Sequence, residues 1–393
     1  MKRTVKNNIN LLYFISFFNN LLFWLGVWVL YYLLFTNYTG VGMIETAMII
    51  AVVFFEIPSG ALADLLGKKK TLIIGLGIIC LGDLTMGLAP NFSILFVAAF
   101  FSALGSTFLS GTFEAITYDS LKELKRESDY NKVLSKQRSF SYLAQTIAVI
   151  IGGLLYTFIN HRAPYFAVAG ASIVAIIIAW QLKEPKIDSE KFSWKNYRQQ
   201  ISKGFRTLFL GKSIRRLIYI LLTIGVVYLF MYEMLADLLL VATGGTAMQI
   251  SIALVVVTSI ITLTVRLSTL IKKKIGNLRV FVGMAILYGL LMLLAPKANF
   301  LIAVFLIIVW AIIYSLTLII QSDILNKYII SKHRATSLST FNLLISIPYI
   351  LMATVLGYVS DIYSVQNVIA GLGIILLVGI FWTVITYWSK IRK

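Results

Sequence analysis

Apolar runs of about 20 residues, the length that crosses a bilayer, recur along this chain from end to end, with the charged residues gathered between them. Hydrophobic residues make up 59% and charged residues 13%, against roughly 25% charged in an ordinary soluble domain. That pattern excludes a water-soluble fold and implies a polytopic membrane protein. Twelve segments can be drawn: Ile9–Phe35, Val41–Leu62, Leu72–Leu88, Ile94–Tyr118, Phe140–Phe158 and Ala163–Leu182, then Leu217–Val241, Gln249–Ile271, Val280–Leu294, Leu301–Leu325, Ser337–Tyr358 and Val365–Tyr387. Lipid supplies no hydrogen-bond partners for a bare backbone, so each is expected to be a helix. The first is too long for a signal-peptide core and reads as a retained helix.

The net charge of +19 would suggest nucleic acid if it formed one patch. Instead, 32 of the 35 Lys and Arg residues fall in alternate connections, and the intervening connections hold Arg162 and Lys297 alone. By the positive-inside rule this places both termini in the cytoplasm of a plasma-membrane protein. The longest connection separates segments six and seven. The expected organisation is an N-terminal six-helix bundle over 1–182, a linker over 183–213 and a C-terminal six-helix bundle over 214–393. Within the linker Trp194, Tyr197, Ile201, Phe205 and Leu208 recur at helical spacing among basic residues, which predicts an amphipathic helix at the headgroups. "DLLGKKK" at Asp64–Lys70 has a counterpart in "KKIGNLR" at Lys273–Arg279, aligning Gly67 with Gly276. Such weak internal symmetry is common in transporters.

The stretch "IPSGALADLLGKKKT", Ile57–Thr71, interrupts the apolar text with an acid, a glycine and three lysines. Gly67 permits the positive φ that a tight helix reversal needs. The part "GALADLLGKKKT" resembles the helix 2–3 loop signature of the major facilitator superfamily, through Gly60, Asp64, Gly67, Lys68 and Lys69, with Leu65 where a basic residue is usual. The resemblance implies a rocker-switch transporter whose two pseudo-symmetric six-helix bundles alternate around a site. It further implies a cytoplasmic gate in which Asp64 meets the start of helix 11 and Lys68 or Lys69 pairs with Asp119 at the end of helix 4. The chain departs from the related drug:proton antiporters at Ala148 and Val149, where they carry Gly-Pro before the pair Gly152–Gly153, and at Phe101, where they carry an arginine.

Ionisable groups inside a membrane are costly, and each is a functional candidate. At about 1.5 Å per residue, Asp83 sits near the midplane, Glu56 in the inner half and Glu233 in the outer half; Glu114 and Arg266 lie near the inner boundary, Glu45 and Asp237 near the outer one. Glu233 and Asp237 share a helix face. Two carboxylates so close cannot both stay ionised cheaply, which suits proton binding and release. Asp83, Glu56, Glu233, Asp237 and Glu114 are therefore the proton-coupling and substrate candidates. Tyr228, Tyr232 and Trp310 are candidate cavity aromatics. Each of these acids could instead be neutralised by a neighbour, and each ring could simply fill a helix contact.

An acidic, aromatic interior suits cationic or hydrophobic cargo. The expected function is proton-coupled, multidrug-like efflux by alternating access; an importer or facilitator of a small metabolite is the alternative. Partners would be a small-molecule substrate, protons and membrane lipid, with no nucleic acid and a monomeric protein. An enzyme is disfavoured: the two histidines, His161 and His333, stand in connections, and there is no His-Glu-x-x-His, phosphate loop or nucleotide cassette. No cofactor or metal is expected, and the lone Cys80 allows no intrachain disulfide.

Overall fold

The computed structural model describes residues 5–185, 212–275, 278–328 and 334–391. The expected amphipathic helix at 194–208, Gly276 of the internal repeat and the side chains of Asp64 and Arg266 lie outside the described residues. Every regular element among those described is helical. In chain order they are α1 (Val5–Asn19), α2 (Trp28–Tyr32), α3 (Tyr38–Leu66), α4 (Lys68–Leu88), α5 (Phe92–Leu109), α6 (Thr112–Glu123), α7 (Tyr130–Phe158) and α8 (Ala163–Ala179). There follow α9 (Lys212–Phe230), a π turn at Met231–Leu235, α10 (Ala236–Ala242), α11 (Ala247–Ile275), α12 (Leu278–Met292), α13 (Phe300–Tyr328), α14 (Arg334–Tyr363) and α15 (Val365–Ile391). Among the described residues ten stretches are long and apolar enough to cross a membrane, and Ala163–Ala179 is a shorter apolar helix. Helices α3 and α14 run through Pro58 and Pro348.

The chain forms two compact units. The first comprises Met1–Thr36, Met43–Phe192 and Ala247–Val255; the second comprises Asn37–Gly42, Ser193–Thr246 and Val256–Lys393. In the first unit α4 packs on α5 and α8, and α1 on α7, α8 and α6. Lipid offers helices no hydrophobic drive to associate, so close approach through small residues matters more than in water. A Cβ on Gly82 would stand 2.8 Å from the Ser102 backbone nitrogen, and one on Gly105 2.8 Å from that of Ile79. Leu12, Ile15, Leu72, Leu76 and Ile116 fill the space left between these helices and are fully buried.

Segment one is not the continuous helix expected from its apolarity. Between α1 and α2 the backbone closes short turns, Phe23 N–H to Leu21 O, Leu25 N–H to Leu22 O and Val27 N–H to Trp24 O. The cause lies in Asn20, whose side-chain amide donates to Ser16 O at 2.8 Å and whose carbonyl accepts from Gln145 at 3.1 Å. Asparagine that bonds nearby backbone competes with the helix ladder. Gly152 and Gly153 of α7 let the opened stretch and Ser251 approach: the Phe23 carbonyl lies against Gly152, and the Ser251 Cβ would be 2.9 Å from a Cβ on Gly153. Segment four is interrupted as well, at Ser110 and Gly111, where Gly111 has φ 70°. Segment seven contains the π turn.

In the second unit α9 packs on α14 and α15, and α12 on α13 and α15. Phe230 stacks on Tyr349 at 5.5 Å. Two connections have a single residue: Gly67 (φ 91°) joins α3 to α4, and Ser364 (φ 75°) joins α14 to α15.

Candidate gating and transport sites

The loop between α3 and α4 anchors a dense polar cluster within the first unit. Gly67 turns the chain so that α4 starts one residue later, leaving its first N–H groups without helical partners. The Glu184 carboxylate takes two of them, from Lys68 N–H at 2.7 Å and Lys69 N–H at 2.8 Å. A carboxylate at that end also meets the positive pole of the helix dipole. The Lys68 ammonium is turned inward to the Asp119 carboxylate, and both residues are buried. Lys69 donates from Nζ to Trp180 O at 2.8 Å.

Asn8 ties this cluster to the start of the chain. Its amide donates to Ser120 Oγ at 2.9 Å and to Lys183 O at 2.8 Å, and its carbonyl accepts from Lys183 N–H at 3.0 Å. Sequence reasoning named Lys68, Lys69, Gly67 and Asp119 but missed Asn8 and Glu184. A signal for Glu184 existed: it is an acid two residues after an apolar segment, in a connection where basic residues outnumber acids. Nothing in the sequence singles out Asn8. Gly60 lies in α3 with no atom within 4 Å of where its Cβ would be.

The acids of the membrane segments differ in their surroundings. Asp83 on α4 is 1% exposed and accepts a 3.1 Å hydrogen bond from Ser102 Oγ on α5; it has no ion-pair partner among the described residues. It therefore lies inside the first unit, beside the Gly82–Ser102 contact. Glu45 is buried, Glu56 is exposed in the second half of α3, and Glu114 is half-buried in the first turn of α6. There the helix dipole favours a negative charge.

In the second unit Glu233 occupies the middle of the π turn and Asp237 follows one turn later in α10. A π turn carries one residue more than the α-helix accommodates and commonly marks functional sites. Here it falls within a ring-lined region. Tyr228 contacts Tyr288 and Tyr314 at centroid distances of 4.3 and 5.8 Å; Tyr232 contacts Tyr314 at 5.1 Å; Tyr288 contacts Trp310 at 5.9 Å. Tyr228 and Trp310 are buried, Tyr232 is exposed, and the Trp310 indole N–H is buried with no hydrogen-bond partner among the described residues. Glu233 has no ion-pair partner among them either. The three aromatics named from sequence thus belong to one cluster, to which the structure adds Tyr288 and Tyr314. Tyr314 stands four residues after Trp310 and shares its helix face. An apolar groove of about 500 Å³ lies elsewhere in this unit, lined by Thr223, Ile374, Ile375, Val378, Gly379, Trp382 and Thr383, and has no charged residue in its wall.

No metal-binding group of three His, Cys, Asp or Glu residues occurs among the described residues. Comparison with known proteins gives transporters throughout. A 127-residue stretch is 28% identical to the probable vesicular acetylcholine transporter-A of Danio rerio, covering 32% of this chain and 24% of that protein. A 101-residue stretch is 28% identical to the multidrug resistance protein Stp of Mycobacterium tuberculosis (strain CDC 1551 / Oshkosh), covering 26% of this chain and 18% of that protein. The chain thus spans about a quarter or less of the length of these two relatives. Among solved structures, the nucleoside transporter NupG (D323A mutant) has a TM-score of 0.76 at 17% identity over 97% of this chain and all of that one. A POT family transporter in complex with 5-aminolevulinic acid has a TM-score of 0.73 at 13% identity, over 98% of this chain and 97% of that one. These similarities establish a common fold. A sequence profile of the Major Facilitator Superfamily matches residues 9–348, and the chain belongs to that family of membrane transporters.

Proposed function

We propose that this transporter is a monomeric, proton-coupled exporter of hydrophobic or cationic compounds in the plasma membrane, with both termini cytoplasmic. The observation that carries the reading is the setting of Glu233. It occupies the middle of a π turn, next in sequence to Tyr232, whose ring contacts Tyr314 in the cluster that includes Trp310, and it has no ion-pair partner among the described residues. A cation entering there would replace that missing partner and lie against ring faces, which attract positive charge. Asp83 and Glu233 are the coupling carboxylates of this reading, with Asp237, Glu56 and Glu114 as further acids along the route. Protonation would discharge Glu233 and release a cationic cargo, so inward proton movement drives outward cargo movement. The names of the two sequence relatives, an acetylcholine transporter and a multidrug resistance protein, support a cationic or drug-like cargo.

The interruptions of segments one, four and seven fit a transporter, because opened helix turns expose backbone groups that line transport routes. In the same reading the Lys68–Asp119–Glu184 cluster and Asp64 form the cytoplasmic gate, with Gly60 and Gly67 shaping it.

The test is transport in proteoliposomes with an imposed pH gradient and ethidium as the probe cation. Movement of ethidium against the proton flux, lost in Glu233→Gln and Asp83→Asn and retained in Glu56→Gln, is expected. Ethidium movement in the same direction as protons would replace export by import, and indifference to the gradient would remove proton coupling.

A further inference from the structure

Helices α3 and α14 end in the same way. Gly60, Asp64 and Gly67 stand at relative positions 0, 4 and 7 in "GALADLLG"; Gly357, Asp361 and Ser364 stand at the same positions in "GYVSDIYS". In each case the acid lies two residues before the last residue of a long helix, Leu66 or Tyr363. In each case the third member is the single residue linking that helix to the next, held at positive φ, 91° for Gly67 and 75° for Ser364. The two halves of the gate signature that shape the backbone are therefore present twice, and the second copy lacks the lysines.

The second copy is engaged in the structure. Asp361 Oδ1 accepts from Tyr38 N–H at 3.0 Å, and Oδ2 accepts from Thr39 N–H at 2.9 Å and Thr39 Oγ1–H at 2.5 Å. These are the first two residues of α3. The carboxylate thus caps the start of α3, where partial positive charge favours an anion. The backbones are brought together by glycines on both sides. A Cβ on Gly357 would be 3.1 Å from Thr39 Cα, and one on Gly42 would be 2.9 Å from Thr354 Cα. Residues 37–42 belong to the second unit, whereas α3 continues from Met43 in the first. The contact is thus made at the point where one helix leaves one compact unit for the other.

We propose that Asp361 is a gating residue, the working acid of a second latch of the same pattern as the Asp64 latch and at the other end of α3, about 40 Å away at 1.5 Å per residue. The inference rests on the alternating-access reading above. Closed, the latch holds residues 37–42 in the second unit; released, it lets that turn depart and opens the transporter on that side. The two latches are reciprocal. Asp361 of α14 caps the start of α3, and by the family resemblance Asp64 of α3 caps the start of α14. The exposed position of Asp361 suits a contact made and broken in each cycle.

The experiment places one cysteine at buried Val41 in a Cys80→Ala background and measures its labelling by a membrane-impermeant maleimide, in intact cells and in inverted vesicles. Asp361→Asn is expected to raise the labelling rate about fivefold from the face at which α3 begins and to leave the other face unchanged, as a population shift requires. Asp361→Glu should restore part of the parent rate. Asp64→Asn should lower the rate, an opposite sign that a merely structural contact would not produce. If Asp361→Asn proves unstable, Tyr38→Pro and Thr39→Val remove donors from the other side, and proline is well tolerated at the first position of a helix. Unchanged labelling in folded Asp361→Asn, or a rise from both faces, overturns the latch. If Asp64→Asn shifts labelling while Asp361→Asn does not, the Asp361 inference falls and alternating access stands; if neither does, both fall.

Discussion

The Lys68 ammonium and the Asp119 carboxylate form an ion pair whose side chains are 9% and 10% exposed, at the point where α4 begins and α6 ends. Desolvating both charges consumes much of their mutual attraction. Stability should therefore depend on keeping both or neither. Lys68→Ala or Asp119→Ala alone should destabilise the protein by about 3–5 kcal/mol, since the survivor is a buried unpaired charge. The pair Lys68→Met with Asp119→Leu should recover most of that loss. Thermal unfolding of the four proteins in one detergent measures this. Additive losses in the double variant would show that no such coupling exists.

Glu184 should behave as a helix cap. It receives two backbone N–H groups of α4, and hydrogen bonds to a charged acceptor contribute about 1.5–3 kcal/mol. Glu184→Ala is expected to cost about that amount, and Glu184→Gln less, because one amide oxygen can still accept. The same unfolding assay decides it, and an Ala variant as stable as the parent would remove Glu184 from the cluster.

The two single-residue links differ in a way substitution can expose. Gly67 has φ 91° and ψ 150°, a region open essentially to glycine alone, and a Cβ there would also stand 3.1 Å from the Glu184 carboxylate carbon. Gly67→Ala should cost about 1–3 kcal/mol. Ser364 already has φ 75° with a side chain in place, so Ser364→Gly should be neutral or stabilising by up to about 1 kcal/mol. Equal melting temperatures for Gly67→Ala and the parent would contradict the first statement.

Asp83→Asn keeps the size of the side chain and its acceptor for the Ser102 hydroxyl, so folding should change little. Transport driven by a pH gradient should nevertheless fall at least about tenfold, because the amide cannot exchange a proton. Flow of ethidium down its own gradient should persist. Gradient-driven activity at the parent level would exclude Asp83 from coupling.

Cation–π contacts contribute about 0.5–2 kcal/mol depending on desolvation, so Tyr314→Leu and Trp310→Leu should weaken ethidium binding by roughly 2- to 30-fold. A neutral dye of similar size should be affected much less. Fluorescence titration of purified protein supplies both constants, and an equal loss for both dyes would mean that the rings act by volume alone.

Much of the architecture was legible because it follows from solvation. Lipid forces apolar segments to satisfy their backbones internally, so run length marks the stretches that become helical. The same logic misjudged segments one and four, since average apolarity is blind to Asn20 bonding Ser16 and Gln145, or to Gly111 taking a positive φ. Tyr228, Tyr232 and Trp310 were named from the sequence as candidate cavity aromatics. Tyr288 was not, because nothing in the sequence of α12 marks it out and it meets Tyr228 only by packing.

By itself the chain's order of apolar and charged residues determined a many-helix membrane protein with a glycine-turned, lysine-rich connection between α3 and α4, and transport was implied by that connection's resemblance to a family signature. Tertiary structure decided which acids matter to which helix ends: Glu184 at the start of α4 and Asp361 at the start of α3. The reason is physical. Periodicity and composition report what a segment buries, whereas a cap depends on two helix ends, hundreds of residues apart in sequence for Asp361 and Thr39, arriving within hydrogen-bond distance.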